Sequence, residues 1–424
     1  MRQGFDFRVE AREPGCAARA GMLTTPRGLV PTPVYCPVGT VATVKTLDPL
    51  EVEDAGATMI LANTYHLMLR PGADRLQRLG GLHGFMGWSG PIMTDSGGFQ
   101  AFSLGFAREH GVGKIGGVFP GEAKAPAPDN RKGTDLGRLA TIDEDGVTFR
   151  SHIDGSKHRL TPEISIALQQ KIGADFILAF DECTSPLSDH AYTRRAMERT
   201  HRWAERCIEA RELKADLPQA LVGIVQGGAY EDLRKESTRA IAALPVDCFC
   251  VGGSLGKSKA DMHQVLDWTV PGLPDDRFRH LLGIGDVDDL FEAVERGIDS
   301  FDCVIPTRFA RHGTLLMGPP VGNRKNRFRL NIWNTSNSED AGPVDPTCGC
   351  PLCRRFSRAY LRHLFQAGEL LGHRLASLHN VWFTQALMGR IRQAILEGRF
   401  LEFKAAWLGP PATAPQEGKG NEPA

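Results

Sequence analysis

The sequence lacks the features that mark several specialised protein classes. Its 50 basic and 50 acidic residues give a net charge of zero, which excludes a basic field over the whole surface but not a local basic face. It contains no run of about 18 apolar residues, so we expect no membrane span. It begins with charged residues and no apolar core, which argues against a secretory signal and predicts a cytoplasmic protein with reduced cysteines.

Repeats are also absent. No unit of about 20 to 50 residues recurs, which excludes a solenoid. Two stretches are poor in apolar residues. Residues 407–424 are predicted to be a disordered tail, and residues 107–138, rich in glycine, proline and charge from Gly111 to Arg138, are predicted to form an extra surface loop.

Short apolar runs alternate with helical patterns along most of the chain. Helices are predicted after Thr161, from His190 to Lys214 and from Val287 to Gly297. Strands are predicted at Ala57–Ala62, Gly90–Thr94, Asp175–Phe180, Leu221–Val225, Asp247–Val251, Arg279–Gly283 and Asp299–Ile305. Some eight such units in one chain favour the α/β class and a (β/α)8 (TIM) barrel, whose main part would span residues 1–322.

Polar residues follow the predicted strands in a repeated position. In a (β/α)8 barrel the C-terminal ends of the strands surround one mouth, where catalytic residues lie. The polar and glycine residues at these ends are Asp95, Asp181, Gln226, Gly252, Gly253 and Asp302. Because separated segments would converge on one pocket, the sequence predicts an enzyme.

Two of these aspartates suit a reaction at a sugar. Asp302, in FDCVIPTR, has apolar neighbours, where a structural carboxylate would need a partner. A carboxylate at a barrel mouth can attack an anomeric carbon while a second carboxyl group acts as acid and base, which retains configuration. Asp95, in MTDSGGFQ, is the candidate second group, although an aspartate before a helix is also a common cap.

The candidates for base recognition are individually weaker. Asp181, in FDECT, can accept N–H bonds from a planar base or simply cap the next helix. Gln226 offers both a donor and an acceptor, and Gly252–Gly253 offers backbone N–H groups. Together these groups match the edge of a purine.

Charge is unevenly distributed after Asp302. The stretch from Cys303 to Ser338 contains no acidic residue. Its basic residues are Arg308, Arg311, Arg324, Lys325, Arg327 and Arg329. This asymmetry indicates either a solvated loop or a contact surface for nucleic-acid phosphates, and its closeness to Asp302 favours the second.

Three cysteines lie within six residues in TCGCPLCRR. Cys348, Cys350 and Cys353 have metal-ligand spacing, and reduced thiols disfavour a disulfide. The candidates for a fourth ligand are His363, His373 and His379. Four protein ligands leave no position for water, so the pattern predicts a structural zinc rather than the rival, a zinc-dependent hydrolase, which would need an open site.

Taken together, the motifs resemble the bacterial-type tRNA-guanine transglycosylases (queuine tRNA-ribosyltransferases), from about Gly21 to Phe403. The motifs that carry the resemblance are PVGTVATVK, ILANTYHLMLRPG, TDSGGFQ, FRSHIDGS, FDECT, VQGG, FDCVIPTR, CGCPLC and SLHN. The resemblance implies a (β/α)8 barrel with a zinc-binding subdomain at 323–380 and a last helix at 381–406 that returns to the barrel. It also implies a homodimer that exchanges guanine at the wobble position of the anticodon in tRNA-Asp, -Asn, -His and -Tyr for a 7-deazaguanine.

The resemblance assigns roles by motif position. Asp302 would be the nucleophile on ribose C1′, Asp95 the general acid and base, and Zn²⁺ the cofactor. The implied base-binding residues are Asp95, Ser96, Gly97, Gly98, Phe99, Asp181, Gln226, Gly252 and Gly253. The implied contacts to the anticodon arm are Gly283, Ile284, Gly285, Asp286, Val287, Asp288, Asp289, Thr307, Arg308, Phe309, Ala310 and Arg311, and the implied zinc ligands are Cys348, Cys350, Cys353 and His379.

One motif departs from the family pattern. The usual bacterial GGLAVGE is here GGSLGKS, so that Gly256 replaces a typical valine and Ser258 a typical glutamate. The usual bacterial base is 7-aminomethyl-7-deazaguanine, and loss of an acid that could meet its amine weakens the match to that base. A glycine at 256, as in the eukaryotic branch that takes queuine, leaves room for a bulkier 7-substituent, so queuine itself is an alternative substrate. A non-catalytic RNA-binding partner is a further alternative, but the presence of both Asp95 and Asp302 argues against it.

Overall fold

The computed structural model describes residues 1–101, 140–213 and 218–409. The loop predicted at 107–138 and residues 410–424 of the predicted tail lie outside the described residues. Within those ranges, no helix is both long and apolar enough to cross a membrane.

The described strands and helices alternate along most of the chain. The strands are β1 Asp6–Arg12, β2 Arg19–Thr25, β3 Gly28–Thr32, β4 Val34–Pro37, β5 Ile60–Ala62, β6 Ile92–Thr94, β7 Ala140–Ile142, β8 Val147–Arg150, β9 Lys157–Leu160, β10 Phe176–Leu178, β11 Ala220–Val225, β12 Cys248–Val251, β13 Arg279–Leu281, β14 Ser300–Cys303, β15 Thr314–Leu316 and β16 Arg329–Asn331. The α-helices are α1 Pro49–Asp54, α2 Thr64–Leu69, α3 Ala73–Arg78, α4 Gly81–Met86, α5 Pro162–Ile172, α6 His190–Glu212, α7 Glu231–Ala242, α8 Lys259–Thr269, α9 Val287–Glu295, α10 Ile305–Arg311, α11 Pro351–Arg355, α12 Arg358–Gln366, α13 Leu370–Leu396 and α14 Phe400–Leu408.

Eight parallel strands form the centre of the fold. Their order is β4-β14-β13-β12-β11-β10-β6-β5. Val38 pairs in parallel with Leu61, and the Gly39 N–H donates to the Leu61 carbonyl at 2.6 Å, so the first and last strands of this order meet. The predicted (β/α)8 barrel is therefore confirmed.

All seven predicted strands lie in this barrel, but its eighth strand, β4, was not predicted. The strand follows Pro33 and ends at Pro37, and prolines argue against a central strand. It is nevertheless buried at all four positions. It pairs directly with β14, the strand that carries Asp302.

Alternate residues of the barrel strands face different cores. In β10, Phe176 and Leu178 belong to the cluster inside the barrel, whereas Ile177 packs among the surrounding helices. Phe5 and Phe7, at the start of the N-terminal sheet β1-β2-β3, join the interior cluster, and Phe5 meets Phe176 edge to face with 5.0 Å between ring centres. The N-terminal sheet thus closes one end of the barrel, which leaves the C-terminal strand ends for a ligand.

A smaller unit follows the last barrel strand. The antiparallel pair β15-β16, the short helices α11 and α12, and the first half of α13 share one apolar core. Leu315, Ile332, Leu352 and Leu361 are fully buried in it. This unit contains the cysteine motif and is joined to the barrel through α10 and α13.

The C-terminal helices differ from the prediction. A single last helix was expected at 381–406, but α13 begins earlier and ends before Gly398, whose φ of 64° allows the turn into α14. A tail was expected from residue 407, but Trp407 and Leu408 are helical and buried. The sequence prediction placed Trp407 and Leu408 in the tail because these last apolar residues of α14 are followed directly by a strongly polar segment.

Candidate active site and metal centre

The structure brings the predicted polar residues to the C-terminal end of the barrel. Asp302 lies in β14, Asp95 follows β6, and Asp181 follows β10. Gln226 and Gly252 directly follow β11 and β12. Parallel strand ends therefore place five separated segments at one mouth.

The Asp95 carboxylate is held by four donors. Its Oδ1 accepts from the N–H groups of Thr64 at 2.8 Å and Gly97 at 3.2 Å. Its Oδ2 accepts from Asn63 Nδ2 at 2.6 Å and Gln100 Nε2 at 2.9 Å. Burial nevertheless raises the pKa of Asp95, and the negative charge of Asp302 adds to the rise. A carboxyl group whose pKa is raised towards neutral pH is suited to both giving and taking a proton.

Asp302 is bound differently from Asp95. Its Oδ1 accepts from the Gly283 N–H at 3.0 Å and lies 3.1 Å from His280 Nε2. Within the part of the chain that the structure describes, no group donates to Oδ2. One carboxylate oxygen is thus fixed by the protein and the other is left for a substrate.

The third carboxylate, Asp181, forms a small network with two polar side chains. Ser96 Oγ donates to its Oδ1 at 3.0 Å, and Gln226 Nε2 donates to its Oδ2 at 2.6 Å. Burial raises the pKa of Asp181 to about 6, with a further contribution from the charge of Asp95. Gln226 Oε1 is buried and has no hydrogen-bond partner among the described residues. A ligand with N–H donors would satisfy these oxygens.

Two glycines are required beside this network. A Cβ on Gly253 would lie 1.9 Å from Gln226 Oε1, and a Cβ on Gly252 would lie 2.6 Å from Ile224 Cγ2. Any side chain at these positions would displace Gln226 or the barrel strand. The glycines therefore let the backbone approach the same space that the glutamine faces.

Sequence reasoning missed Arg234, which organises both glycine segments. This arginine of α7 is fully buried, and burial lowers the pKa of its guanidinium to about 9. It donates to the carbonyls of Gly228 and Val225 on one side and to those of Gly252 and Ser254 on the other, at 2.7 to 3.0 Å. In the sequence it lies among charged residues of a helix, which is typical of a solvated position.

The remaining predicted base-binding residues have mixed surroundings. Gly97 adopts a φ of 79° and Gly98 donates its N–H to Ser96 Oγ at 3.2 Å, so both shape the turn around Asp95. The side chain of Phe99 is exposed to solvent over 40% of its surface. The structure does not bring Phe99 into the buried network.

Gly256 has a local structural role. It adopts a φ of 95°, and a Cβ there would lie 2.2 Å from the Cβ of Asp261. Asp261 forms a capping box with Ser258 at the start of α8. Both departures from the family motif therefore belong to the start of this helix, since Ser258 caps it and Gly256 makes room for its Asp261.

The predicted RNA-contacting segments are tied together by ion pairs. Lys259 Nζ lies among the carboxylates of Asp286, Asp288 and Asp289 at 3.7, 2.7 and 3.0 Å. Arg329 of the smaller unit pairs with Asp286 at 2.5 Å and lies 4.2 Å above the ring of Phe309. Two cations therefore offset part of the charge of the three aspartates. The exposed basic residues of this face are Arg308, Arg324, Lys325 and Arg327.

The cysteine motif and one histidine form a compact cluster. His379 Nδ1 lies 3.7, 3.5 and 3.3 Å from the Sγ atoms of Cys348, Cys350 and Cys353. A tetrahedral zinc with ordinary bond lengths separates sulfur from nitrogen by about 3.6 Å. All four ligand atoms lie within 4.8 Å of one another, so the set can hold a metal ion. Spacing alone left three histidines open, and the structure brings His379, the ligand that the resemblance implied, to the cysteines.

Neighbouring groups prepare this cluster for a metal. His379 Nε2 lies 2.9 Å from the Leu316 carbonyl, to which it donates its proton, so Nδ1 presents its lone pair to the sulfurs. Backbone N–H groups of Cys353 and Asp345 point at Cys350 Sγ and Cys353 Sγ, both at 3.4 Å. None of the ten cysteines forms a disulfide.

Comparisons with known proteins identify the family of this chain. The family model described as queuine tRNA-ribosyltransferase matches residues 15–115 and 129–410. The unmatched residues 116–128 lie in the predicted surface loop. A queuine tRNA-ribosyltransferase of Roseiflexus sp. is 50% identical over 415 residues, which cover 95% of this chain and 99% of that protein. One of Herpetosiphon aurantiacus is 52% identical over 392 residues, covering 92% and 89% respectively.

These matches extend over nearly the whole chain and include both aspartates and the metal-ligand cluster. The chain belongs to the queuine tRNA-ribosyltransferase family and is a pentosyltransferase that acts on guanosine in tRNA.

Proposed function

We propose that this enzyme exchanges guanine at the wobble position of tRNA-Asp, -Asn, -His and -Tyr for a 7-deazaguanine by double displacement. The observation that carries the proposal is the contrast between two neighbouring carboxylates. Asp302 has an oxygen that no described residue donates to, whereas Asp95 accepts four hydrogen bonds and has a raised pKa. Groups of this kind suit a nucleophile and an acid–base partner, respectively.

In the first displacement, Asp302 Oδ2 attacks ribose C1′. A C1′–O bond forms as the C1′–N9 bond to guanine breaks, and the departing base takes a proton from the carboxyl group of Asp95. In the second, the N9–H proton of the incoming base passes to Asp95. N9 then bonds to C1′, and Asp302 leaves as a free carboxylate. Two inversions retain the configuration at C1′.

Recognition of the base is assigned to the buried network around Gln226. Asp181 and Gln226 Oε1, which has no hydrogen-bond partner in the described part of the chain, are acceptors for the N–H groups of a guanine-like edge. The backbone of Gly253 approaches closely enough to contact the carbonyl side of the base. Unpaired polar groups of this kind reject bases that lack the matching donors.

Binding of the anticodon arm is assigned to the segments 283–289 and 307–311 with the exposed basic residues of the smaller unit. Arg308, Arg324 and Lys325 are suited to phosphates, since they are exposed and have few acidic neighbours in sequence. We expect tRNA affinity to fall steeply with salt concentration, because each phosphate contact releases a counterion.

We propose that the Cys348, Cys350, Cys353 and His379 cluster binds one structural zinc ion. When bound, zinc supplies a cross-link between the cysteine loop and α13 and takes no part in the reaction. His379 and its neighbour Asn380 together fix the strand β15, because Asn380 Oδ1 accepts from the Leu316 N–H at 2.8 Å. The cluster thereby positions the smaller unit, with its exposed basic residues, against the barrel.

The base is proposed to be 7-aminomethyl-7-deazaguanine, with queuine as the alternative suggested by Gly256. The position of Gly256 weakens that alternative, because its missing Cβ faces Asp261 rather than Gln226. Incorporation of each base into one cognate tRNA, measured side by side, separates the two. Efficient incorporation of queuine would establish the alternative.

The proposed assembly is a homodimer in the cytoplasm. Leu370 is 81% exposed and Trp333 45% exposed on the smaller unit, and large exposed apolar side chains favour an interface. Light scattering of the purified protein tests this assembly, and a monomer at micromolar concentration would contradict it.

The catalytic proposal is tested by release of labelled guanine from a tRNA-Tyr transcript. Asp302→Asn should abolish exchange and the covalent RNA adduct, with tRNA affinity unchanged. Asp95→Asn should impair exchange strongly because it removes the proton carrier. Asp143→Asn, which changes an exposed aspartate paired with Arg159, is the matched control and should retain full activity. An active Asp302→Asn protein would refute the nucleophile assignment.

A further inference from the structure

The carboxylate of Asp302 owes its orientation to a side chain that the family motifs do not include. His280 lies in β13, opposite Ser300 of β14, and both are fully buried. His280 Nε2 is 3.1 Å from Asp302 Oδ1, and its Nδ1 is 2.7 Å from Ser300 Oγ. We propose that His280 is the positioning residue of the nucleophile, an inference that rests on the proposed role of Asp302.

The contacts determine which nitrogen carries the proton. An ionised carboxylate can only accept hydrogen bonds, whereas the hydroxyl of Ser300 can donate one. If Nδ1 carried the only proton, the lone pair of Nε2 would face Asp302 at 3.1 Å and repel it. The favourable arrangement is therefore Ser300 Oγ–H donating to Nδ1 and His280 Nε2–H donating to Asp302.

This arrangement distinguishes the two oxygens of the carboxylate. Oδ1 receives the imidazole N–H and the Gly283 N–H, which engage its lone pairs and fix the plane of the group. Oδ2 has no donor among the described residues, so its lone pairs are available for attack. His280 thus selects the attacking oxygen and restrains its approach to C1′, and orientation of this kind contributes strongly to rate.

The strand register makes this position specific. His280 and Ser300 are direct partners in the parallel pair β13-β14. The neighbours of His280 in β13, Arg279 and Leu281, face the other side of the strand, since Leu281 packs in the cluster between the barrel and the helices. A one-residue shift of β13 would turn the imidazole away from Asp302.

A matched pair of variants tests the inference. His280→Gln keeps a side-chain N–H donor, whereas His280→Met has a similar length and no donor. We expect the kcat of His280→Met to be about 100-fold below that of the wild type, while its KM for tRNA changes by less than about threefold. The kcat of His280→Gln should be about tenfold higher than that of His280→Met. Adduct formation in a single turnover should slow in parallel with kcat.

A second buried histidine provides the control. His83 pairs with Asp175 at 3.0 Å beside the start of β10, at the opposite end of the barrel, and is also buried. His83→Met should lower the thermal midpoint and leave kcat unchanged. Should His280→Met not fold, His280→Phe replaces it, since an aromatic ring fills the same space.

The outcomes separate this inference from the proposed function. If Asp302→Asn forms no adduct and a folded His280→Met or His280→Phe protein keeps kcat within about threefold of the wild type, the positioning role is wrong and the nucleophile assignment stands. If the Gln and Met variants are equally impaired, the N–H donor is not the cause, and the inference also fails. If Asp302→Asn still forms the adduct, the proposed nucleophile itself is wrong.

Discussion

Replacement of Asp181 by asparagine should stabilise the enzyme and damage its activity. Burial raises the pKa of Asp181 from 3.8 to about 6, so the folded protein holds this proton more tightly than the unfolded chain. Stability therefore falls as the pH rises from about 4 to about 6, and stays lower above that range. The loss is about 3 kcal/mol, because each tenfold change in proton affinity corresponds to about 1.4 kcal/mol.

Asparagine removes this cost while preserving the local hydrogen bonds. Its amide oxygen can still accept from Gln226, and its amide N–H can donate to the Ser96 hydroxyl. At pH 7.5 we expect Asp181→Asn to unfold at a higher urea concentration than the wild type, with a difference of up to about 3 kcal/mol that closes near pH 4. Guanine exchange at pH 7.5 should fall at least about tenfold, because the amide N–H faces the donors of the base.

The assay is urea unfolding followed by tryptophan fluorescence at several pH values, with base exchange measured on the same preparations. Asp143→Asn gives a control of opposite sign, since the hydrogen bond from Arg159 lowers the pKa of Asp143 to about 2. That variant should lose a little stability above pH 4. An Asp181→Asn protein that is less stable than wild type at pH 7.5, or a difference that does not vary with pH, would refute the reasoning.

Further predictions concern the glycine segment, the buried arginine and the metal. Gly253→Ala should raise the KM for the free base more than about tenfold without unfolding the protein, because its Cβ would lie 1.9 Å from Gln226 Oε1. Arg234→Met should cost about 3 to 5 kcal/mol in urea unfolding, because it leaves four buried carbonyls without donors. His379→Ala should lose its zinc, as measured by atomic spectroscopy, and unfold at a lower temperature, whereas His373→Ala should retain the metal.

The barrel could be predicted from the sequence because its strands are buried on both faces. Phe176–Leu178 is apolar at every position, as parallel strands enclosed by helices must be. The strand Val34–Pro37 was missed for the opposite reason. Its flanking prolines argue against a central strand, and only its pairing with β14 identifies it as one.

In the site, residues with a distinctive local sequence could be predicted, whereas residues defined by contacts between distant segments could not. Asp302 could be identified because a carboxylate within an apolar run needs an explanation. His280 could not, since its contact with Asp302 depends on the register of two strands that are twenty residues apart in sequence. The three cysteines are close in sequence, but spacing alone left three histidines as possible fourth ligands. The resemblance implied His379, and the packing of α13 against β15 accounts physically for its position beside the sulfurs.

The long helix α13 connects the Cys348, Cys350, Cys353 and His379 cluster to the barrel. It has 27 residues, about 40 Å of continuous helix. His379 near its middle joins the metal cluster, Gln385 donates to the Tyr35 carbonyl in β4, and Arg392 donates to the carbonyls of Gly21 and Thr32 at the far end of the barrel.

Free-energy coupling between two sites acts equally in both directions. If metal binding alters β4, the neighbour of the strand that carries Asp302, through the contacts of α13, then substrate binding must alter metal binding by the same free energy. The rate at which a chelator extracts zinc should therefore fall when tRNA is bound. That rate would report occupancy of the catalytic mouth without a label on either the RNA or the base.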